Sequence, residues 1–196
     1  RWILGRRDLT DFLGWIAFLS VLLGTLLGMA GISRLKTYWA AALIGAKRPV
    51  IWAGQGVMFS GGTDALRELA ELIAAPVFCT MPGKSAFDER HPLALGAGSG
   101  TTTGPANEWL TGSDVMLALG TSLTRSPYAQ KVKPGKTIIH STNDAGDINK
   151  EHNADLALVG DAALVLHLAE LPMPVAVPAD RGAVQALGAC PDILPA

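Results

Sequence analysis

Five short runs of continuously apolar residues restrict the fold of this chain more than any other feature. They are Pro49-Val-Ile-Trp-Ala53, Pro76-Val-Phe-Cys-Thr80, Asp114-Val-Met-Leu-Ala-Leu119, Thr137-Ile-Ile-His140 and Asp155-Leu-Ala-Leu-Val159. A strand wetted on one face alternates apolar with polar residues; an unbroken apolar run implies burial on both faces. Helical patterns lie between the runs. Asp64 to Ala74 puts Leu66, Leu69, Ala70 and Ile73 on one face, and Leu35 to Ala46 repeats Tyr38, Ala41, Ala42 and Gly45 at helical spacing until Arg48-Pro49 breaks it. Ala106 to Leu110 reads as a short helix. Asp161 to Leu171 reads as another, with Asp161 at its N-cap or first turn and Pro172-Met-Pro174 as its stop.

Strands buried on both faces and separated by helices predict an α/β fold, a doubly wound parallel sheet. Such sheets bind ligands beyond the carboxyl ends of their strands, where the strand order reverses. The Gly-rich turns after Ala53 and Leu119 mark that crevice. Met81 to about Thr102, with Gly83, Gly96, Gly98 and Gly100, reads as one long irregular connection. Connections of that length are uncommon and are often functional.

The 196 residues suit one domain of ordinary size plus extra sequence. Charged residues make up only 17% of the chain, and the missing charge is concentrated in one place. Phe12 to Ile32 is 21 residues without a charge. As a helix it would reach roughly 30 Å, the thickness of a bilayer core. Arg6 and Arg7 precede it and Arg34 and Lys36 follow it, so charge assigns no orientation. Gly24 and Gly28 form a G-x-x-x-G pair that would let two membrane helices approach. The segment reads as a transmembrane helix, as a helix buried against the remainder, or as sequence foreign to the domain that follows. The chain therefore divides into an apolar segment, 1–34, the α/β domain, 35–172, and a Pro-, Ala- and Gly-rich tail, 173–196, expected to be loosely ordered. It starts at Arg1, as expected of a fragment or a processed product.

A net charge of -1 without long runs of one sign excludes an electrostatic footprint for nucleic acid. Cys79 and Cys190, the two cysteines, support neither a disulfide framework nor a cysteine zinc site and fit a reducing compartment.

Four blocks carry a more specific signal. They are Arg48-Pro-Val-Ile-Trp-Ala-Gly-Gln-Gly-Val57; Pro76-Val-Phe-Cys-Thr-Met-Pro-Gly-Lys-Ser-Ala86 with His91-Pro92 and Leu95-Gly96; Asp114 to Leu123, ending Leu-Gly-Thr-Ser-Leu; and Ile138-Ile-His-Ser-Thr-Asn-Asp144 with Asp147-Ile-Asn-Lys150 and Gly160-Asp161. In this order and spacing they resemble the central domain of the thiamine diphosphate-dependent enzymes of the acetolactate synthase-like family, over about Leu35 to Leu171. The resemblance implies a Rossmann-like parallel sheet of about six strands. It implies a domain set between two others that grip thiamine diphosphate and Mg²⁺, in a homo-oligomeric cytoplasmic enzyme. It also implies a crevice that binds FAD or an ADP moiety in some members and is structural in others.

The candidate cofactor-binding residues are Gly54, Gly56, Gly120, Thr121, Arg125 and Asp144. Gly54 and Gly56 would allow close backbone approach to a dinucleotide, or simply make a tight turn. Phe59 stands where the G-x-G-x-x-G fingerprint has its third glycine. The Gly120-Thr121 turn with Arg125 comes after the third run, and a guanidinium there suits an oxyanion. Asp144 is the second of two acids in the family pattern; Thr142 replaces the first, so the isolated domain is expected to bind FAD weakly or not at all. Lys84 reads as a phosphate contact or a solvated loop lysine, His91 as a loop-holding residue, and Trp109 as packing.

Two parts of a thiamine diphosphate enzyme are missing. Gly160-Asp161-Ala162 does not continue into a Gly-Asp-Gly segment with its downstream Asn, and no glutamate-bearing pyrimidine domain precedes residue 35. Such a chain cannot run the family's chemistry alone, because the cofactor carries it. No Ser-His-Asp set, H-E-x-x-H or Walker lysine loop is present. The leading expectation is the non-catalytic central domain of such an enzyme, with a stand-alone module anchored in a membrane through residues 12–32 as the alternative. An NAD-dependent deacylase of similar fold lacks its catalytic His and zinc module here.

Overall fold

The computed structural model describes residues 15–16, 18–25, 38–98, 102–125 and 130–167. The chain divides into two compact units between Tyr38 and Trp39.

In the first unit, residues 18–25 are helical. Trp15, Phe18, Val21 and Leu23 are exposed, and the rings of Trp15 and Phe18 meet edge-on at 6.1 Å. The Ser20 and Thr25 hydroxyls donate back to the carbonyls of Ile16 and Leu22, so the two polar side chains of this stretch are absorbed by the helix itself. The membrane span expected over residues 12–32 is not supported. Among the described residues no helix is long and apolar enough to cross a membrane, and residues 12–14, 17 and 26–32, Gly28 included, lie outside them.

The second unit is built on six strands: β1 (Pro49–Ala53), β2 (Val77–Thr80), β3 (Ala94–Gly98), β4 (Val115–Leu119), β5 (Thr137–Thr142) and β6 (Leu156–Val159). They form one parallel sheet in the order β3-β2-β1-β4-β5-β6. This is the doubly wound order, and it reverses between β1 and β4. The five apolar runs are the five strands expected. The sixth strand corrects the long irregular connection, because Ala94–Gly98 lies within it and pairs with β2. Ala-Leu-Gly-Ala-Gly carries little apolar or β-branched signal. It forms at the sheet edge through a shifted register, half-buried along its length.

Helices α1 (38–45), α2 (Gln55–Phe59), α3 (Thr63–Leu72), α4 (Gly104–Gly112) and α5 (Ala162–His167) connect the strands. Side chains alternate across a strand, so each buried run feeds two cores. One core joins Ile51, Ala53, Val77, Leu117 and Ile139 to Trp39 and Leu43 of α1, Val57 of α2, Leu66 and Leu69 of α3 and Val165 of α5. The other joins Val50, Trp52, Phe78, Met116, Ala118 and Ile138 to Trp109 and Leu110 of α4. Each fully buried aliphatic or aromatic side chain contributes about 1.5–3 kcal/mol.

Trp109 is a packing residue, as expected. Its indole N–H donates to the Pro49 carbonyl at 3.1 Å, and the Arg48 guanidinium stacks 4.6 Å from its ring centre. The Asp114 carboxylate ties the start of β1 to β4 by accepting from the backbone N–H groups of Lys47 and Arg48 at 2.7 and 2.9 Å. Asp155 does the same between β5 and β6, accepting from Ile138 N–H at 2.8 Å. α5 begins as expected after Asp161, whose Oδ1 accepts from Ala163 and Leu164 N–H. Its predicted continuation beyond His167 and the tail from residue 173 lie outside the described residues.

Candidate functional site

The strand reversal between β1 and β4 leaves a crevice at the carboxyl ends of the strands. The turn after β1 and the turn after β4 meet there at backbone distance. Gly54 N–H donates to the Leu119 carbonyl at 2.8 Å and Gly56 N–H to the Gly120 carbonyl at 2.9 Å. A Cβ on Gly54 would lie 2.3 Å from the Gly120 carbonyl oxygen, and one on Gly56 would lie 2.8 Å from the Gly120 Cα. Gly120 itself has φ +60°, a conformation that strains an L side chain. These glycines are therefore needed for two turns to cross, whatever else they do. The contact also uses up the N–H groups that a Rossmann turn would offer to a pyrophosphate.

Around this crossing lies an open crevice of about 1690 Å³. Its β1–β2 end is apolar, with Trp52, Phe59, Met81 and Pro82. Phe59 is 82% exposed and Met81 55%, so both offer bare apolar surface. The rest of the lining is largely polar: Thr121, Arg125, Lys131 and Lys133 from the described parts of the connection after β4, and Thr142, Asn143, Asp147, Asp155 and Asp161 from the exits of β5 and β6 and the start of β6.

Of the candidates from the sequence, Gly56, Gly120, Thr121 and Arg125 line this crevice together. Gly54 is packed behind them against Gly120, and Asp144 is not among the lining residues. Asp144 Oδ1 accepts from Gly146 N–H at 2.8 Å and caps the short 3-10 turn Ala145–Asp147. That turn swings Asp147 to the crevice instead. Asp147 accepts from the Thr142 hydroxyl at 3.4 Å and pairs with Lys150 at 3.6 Å. Sequence patterning does not single out Asp147, because strand periodicity stops at Thr142 and a turn orients the residues beyond it.

The loop after β4 is held by several contacts. His140, on β5, is fully buried, and its Nε2 lies 2.8 Å from the Thr121 carbonyl. A carbonyl only accepts, so Nε2 carries a proton. Among the described residues Nδ1 has no partner. Leu123 has φ +48° and is buried in the α4-side core, so packing stabilises a conformation a leucine rarely adopts. Arg125 N–H donates to Glu151 at 2.7 Å, while its side chain is exposed at the crevice. His152, another lining residue, titrates below its usual range because of burial first and the nearby Arg125 charge second.

Lys84 and His91 lie away from the crevice lining. Lys84 pairs with Glu89 at 3.7 Å, as a solvated loop lysine does. His91 holds its loop: Nδ1 accepts from Leu93 N–H at 3.1 Å, so Nε2 donates to Glu71 at 3.0 Å, and the ring meets Phe87 edge-on. Among the described residues, no group of three His, Cys, Asp or Glu side chains gathers to hold a metal.

The strand order and the reversal point define this unit as a doubly wound α/β domain with a crevice at its switch point. Residues 37–168 match the family described as "Thiamine pyrophosphate enzyme, central domain". The chain belongs to that family. It is 41% identical over 127 residues to a probable acetolactate synthase large subunit of Methanococcus aeolicus, a match covering 62% of this chain and 20% of the relative. A similar subunit of Methanocaldococcus jannaschii is 42% identical over 130 residues, covering 65% and 22%. The chain thus spans about a fifth of the length of the relatives it matches. Among solved structures, benzoylformate decarboxylase from Polynucleobacter necessarius shares the fold with a TM-score of 0.59 at 23% identity, covering 70% of this chain and 26% of the other.

Proposed function

We propose that this domain is the non-catalytic centre of an acetolactate synthase-like enzyme that makes or breaks carbon–carbon bonds. In that enzyme it scaffolds the parts that hold thiamine diphosphate and Mg²⁺, and its crevice takes the ADP portion of a nucleotide. The described residues do not themselves fit thiamine diphosphate. Asp161 is committed to the N-terminus of α5, and no other carboxylate cluster among them is poised for Mg²⁺. No step of the reaction is therefore assigned to this chain.

The observation that supports the nucleotide reading is the crevice at the strand reversal, with its mixed apolar and cationic lining. Its lining combines apolar Trp52, Phe59 and Met81 with cationic Arg125, Lys131 and Lys133, which suits a ligand with a flat ring and a phosphate chain. FAD is the weaker ligand in this reading. Thr142 offers no carboxylate for a ribose, and its hydroxyl already donates to Asp147 and accepts from Asp144 N–H. Calorimetric titration of the 196-residue chain with ADP, beside a flavin-fluorescence titration with FAD, tests this. Binding of ADP with a Kd below about 1 mM, and of FAD more weakly, is expected. Absence of ADP binding at that concentration sinks the nucleotide reading, and FAD binding at about 1 μM or tighter overturns the ranking.

A further inference from the structure

His152 lines the crevice from the stretch between the 3-10 turn and β6, half-buried. Among the described residues its ring makes no hydrogen bond. The residue before it settles what it faces. Glu151 accepts from the Arg125 N–H at 2.7 Å, which ties the connection after β4 to the approach to β6 and brings the Arg125 charge within reach of the ring. His140, on β5, holds the same connection through the Thr121 carbonyl at 2.8 Å.

Three titratable neighbours act on the His152 ring: Arg125 from the connection after β4, Glu151 on its own segment and His140 from β5. The lining acids Asp147, Asp155 and Asp161 are not among them. They are turned elsewhere, Asp155 to Ile138 N–H, Asp161 to the start of α5 and Asp147 to Thr142 and Lys150. Burial first, and the Arg125 charge second, hold the imidazole below its usual range, against a smaller opposing pull from Glu151. Near neutral pH the ring is therefore uncharged. An anion bound against both Arg125 and His152 offsets their repulsion and adds an attraction, so it favours the imidazolium. Both ring nitrogens then donate.

We infer that His152 is a further phosphate contact of the crevice, one that takes its phosphate together with a proton from solvent. This rests on the nucleotide reading above, in which Arg125 meets the phosphate chain. It adds a residue to that site and ties the site's affinity to pH. The complex keeps His152 protonated at pH values where the free chain has released that proton. Affinity is thus highest at low pH, falls as pH rises from the free to the bound titration of the ring, and is level above both. A ring whose pKa rises by roughly one unit on binding contributes about tenfold in affinity.

ADP-ribose is the probe, because its diphosphate is a diester whose charge is constant across this window, unlike the terminal phosphate of ADP. The histidine side chains of the 196-residue chain are titrated by 1H–15N NMR with and without it, and His152→Gln identifies the His152 signals. With ligand, the His152 titration moves to higher pH. Calorimetry finds ADP-ribose bound about tenfold tighter at the acidic end of the window than at the basic end, and His152→Gln flattens that dependence. An unmoved His152 titration in a chain that binds ADP-ribose overturns the inference and leaves the nucleotide reading standing. A pH dependence that His152→Gln retains in full overturns it too. Binding of ADP-ribose at no pH defeats the nucleotide reading and the inference with it.

Discussion

The two faces of the sheet are covered very differently. One face meets α1, α2, α3 and α5 and is closed by large buried residues such as Trp39, Leu43 and Leu66. The other meets α4 over β1, β2 and β4, and toward β5 and β6 it is bordered by the loops that line the crevice. The same strands supply both faces with equally apolar side chains. What differs is the connection that leaves each strand. A connection that becomes an amphipathic helix closes its face; the described parts of the one from β4 to β5, residues 120–125 and 130–136, form no helix and leave polar groups to be satisfied one by one. Stability is therefore concentrated on the helical face, while the crevice at the carboxyl ends of the strands draws its lining from elements of both faces.

Several substitutions would break or sharpen this contrast. The largest effect is expected for Leu66→Ala, which opens a cavity under α3 and costs about 2–5 kcal/mol in denaturant unfolding. Val132→Ala, half-buried at the crevice, costs about 1 kcal/mol or less, and equal losses for the two would erase the distinction. Gly54→Ala comes next at about 1–3 kcal/mol, because the nearest clash is with backbone of the Gly120 turn. A neutral result there would show that the turns can part without cost.

Cys79 reports on the closed face through pH. Burial first, and the Glu89 charge, push its thiol from 9.0 up to about 11, against a smaller opposing hydrogen bond with the Phe87 backbone. A thiol with a raised folded pKa keeps its proton in the native state where the unfolded state has lost it. Stability is thus unaffected below pH 9 and falls between pH 9 and 11, by up to about 1.4 kcal/mol per pH unit. Comparing the chain with Cys79→Ala across that window checks this, since the alanine variant lacks that slope. The smallest effect is expected at Phe59→Ser, within about 0.5 kcal/mol, because the ring packs against little. If it instead destabilises like Leu66→Ala, Phe59 is part of a core.

The candidate site was legible only where the chain was regular. Gly56, Gly120 and Thr121 lie within three residues of strand ends, so locating the strands placed them at the crevice. Asp144 and Asp147 lie past a 3-10 turn, where a small rotation exchanges a capping carboxylate for one at the crevice. Nothing in local residue type sets Lys131 and Lys133 apart; they line the crevice through a segment whose Val132 packs toward the core beside α4. Gly54 shows the reverse problem. Its glycine was visible, but the contact that demands it belongs to Gly120, in a turn far along the chain.

By itself the sequence determined the α/β class, five of the six strands and the family, because burial on both faces and glycine turns are written in local residue type. Tertiary structure alone decided the sixth strand, which lacks apolar signal and forms because β2 offers it an edge. It also decided that Gly54 packs against Gly120 and that His140 meets the Thr121 carbonyl, since both contacts join segments far apart in the chain.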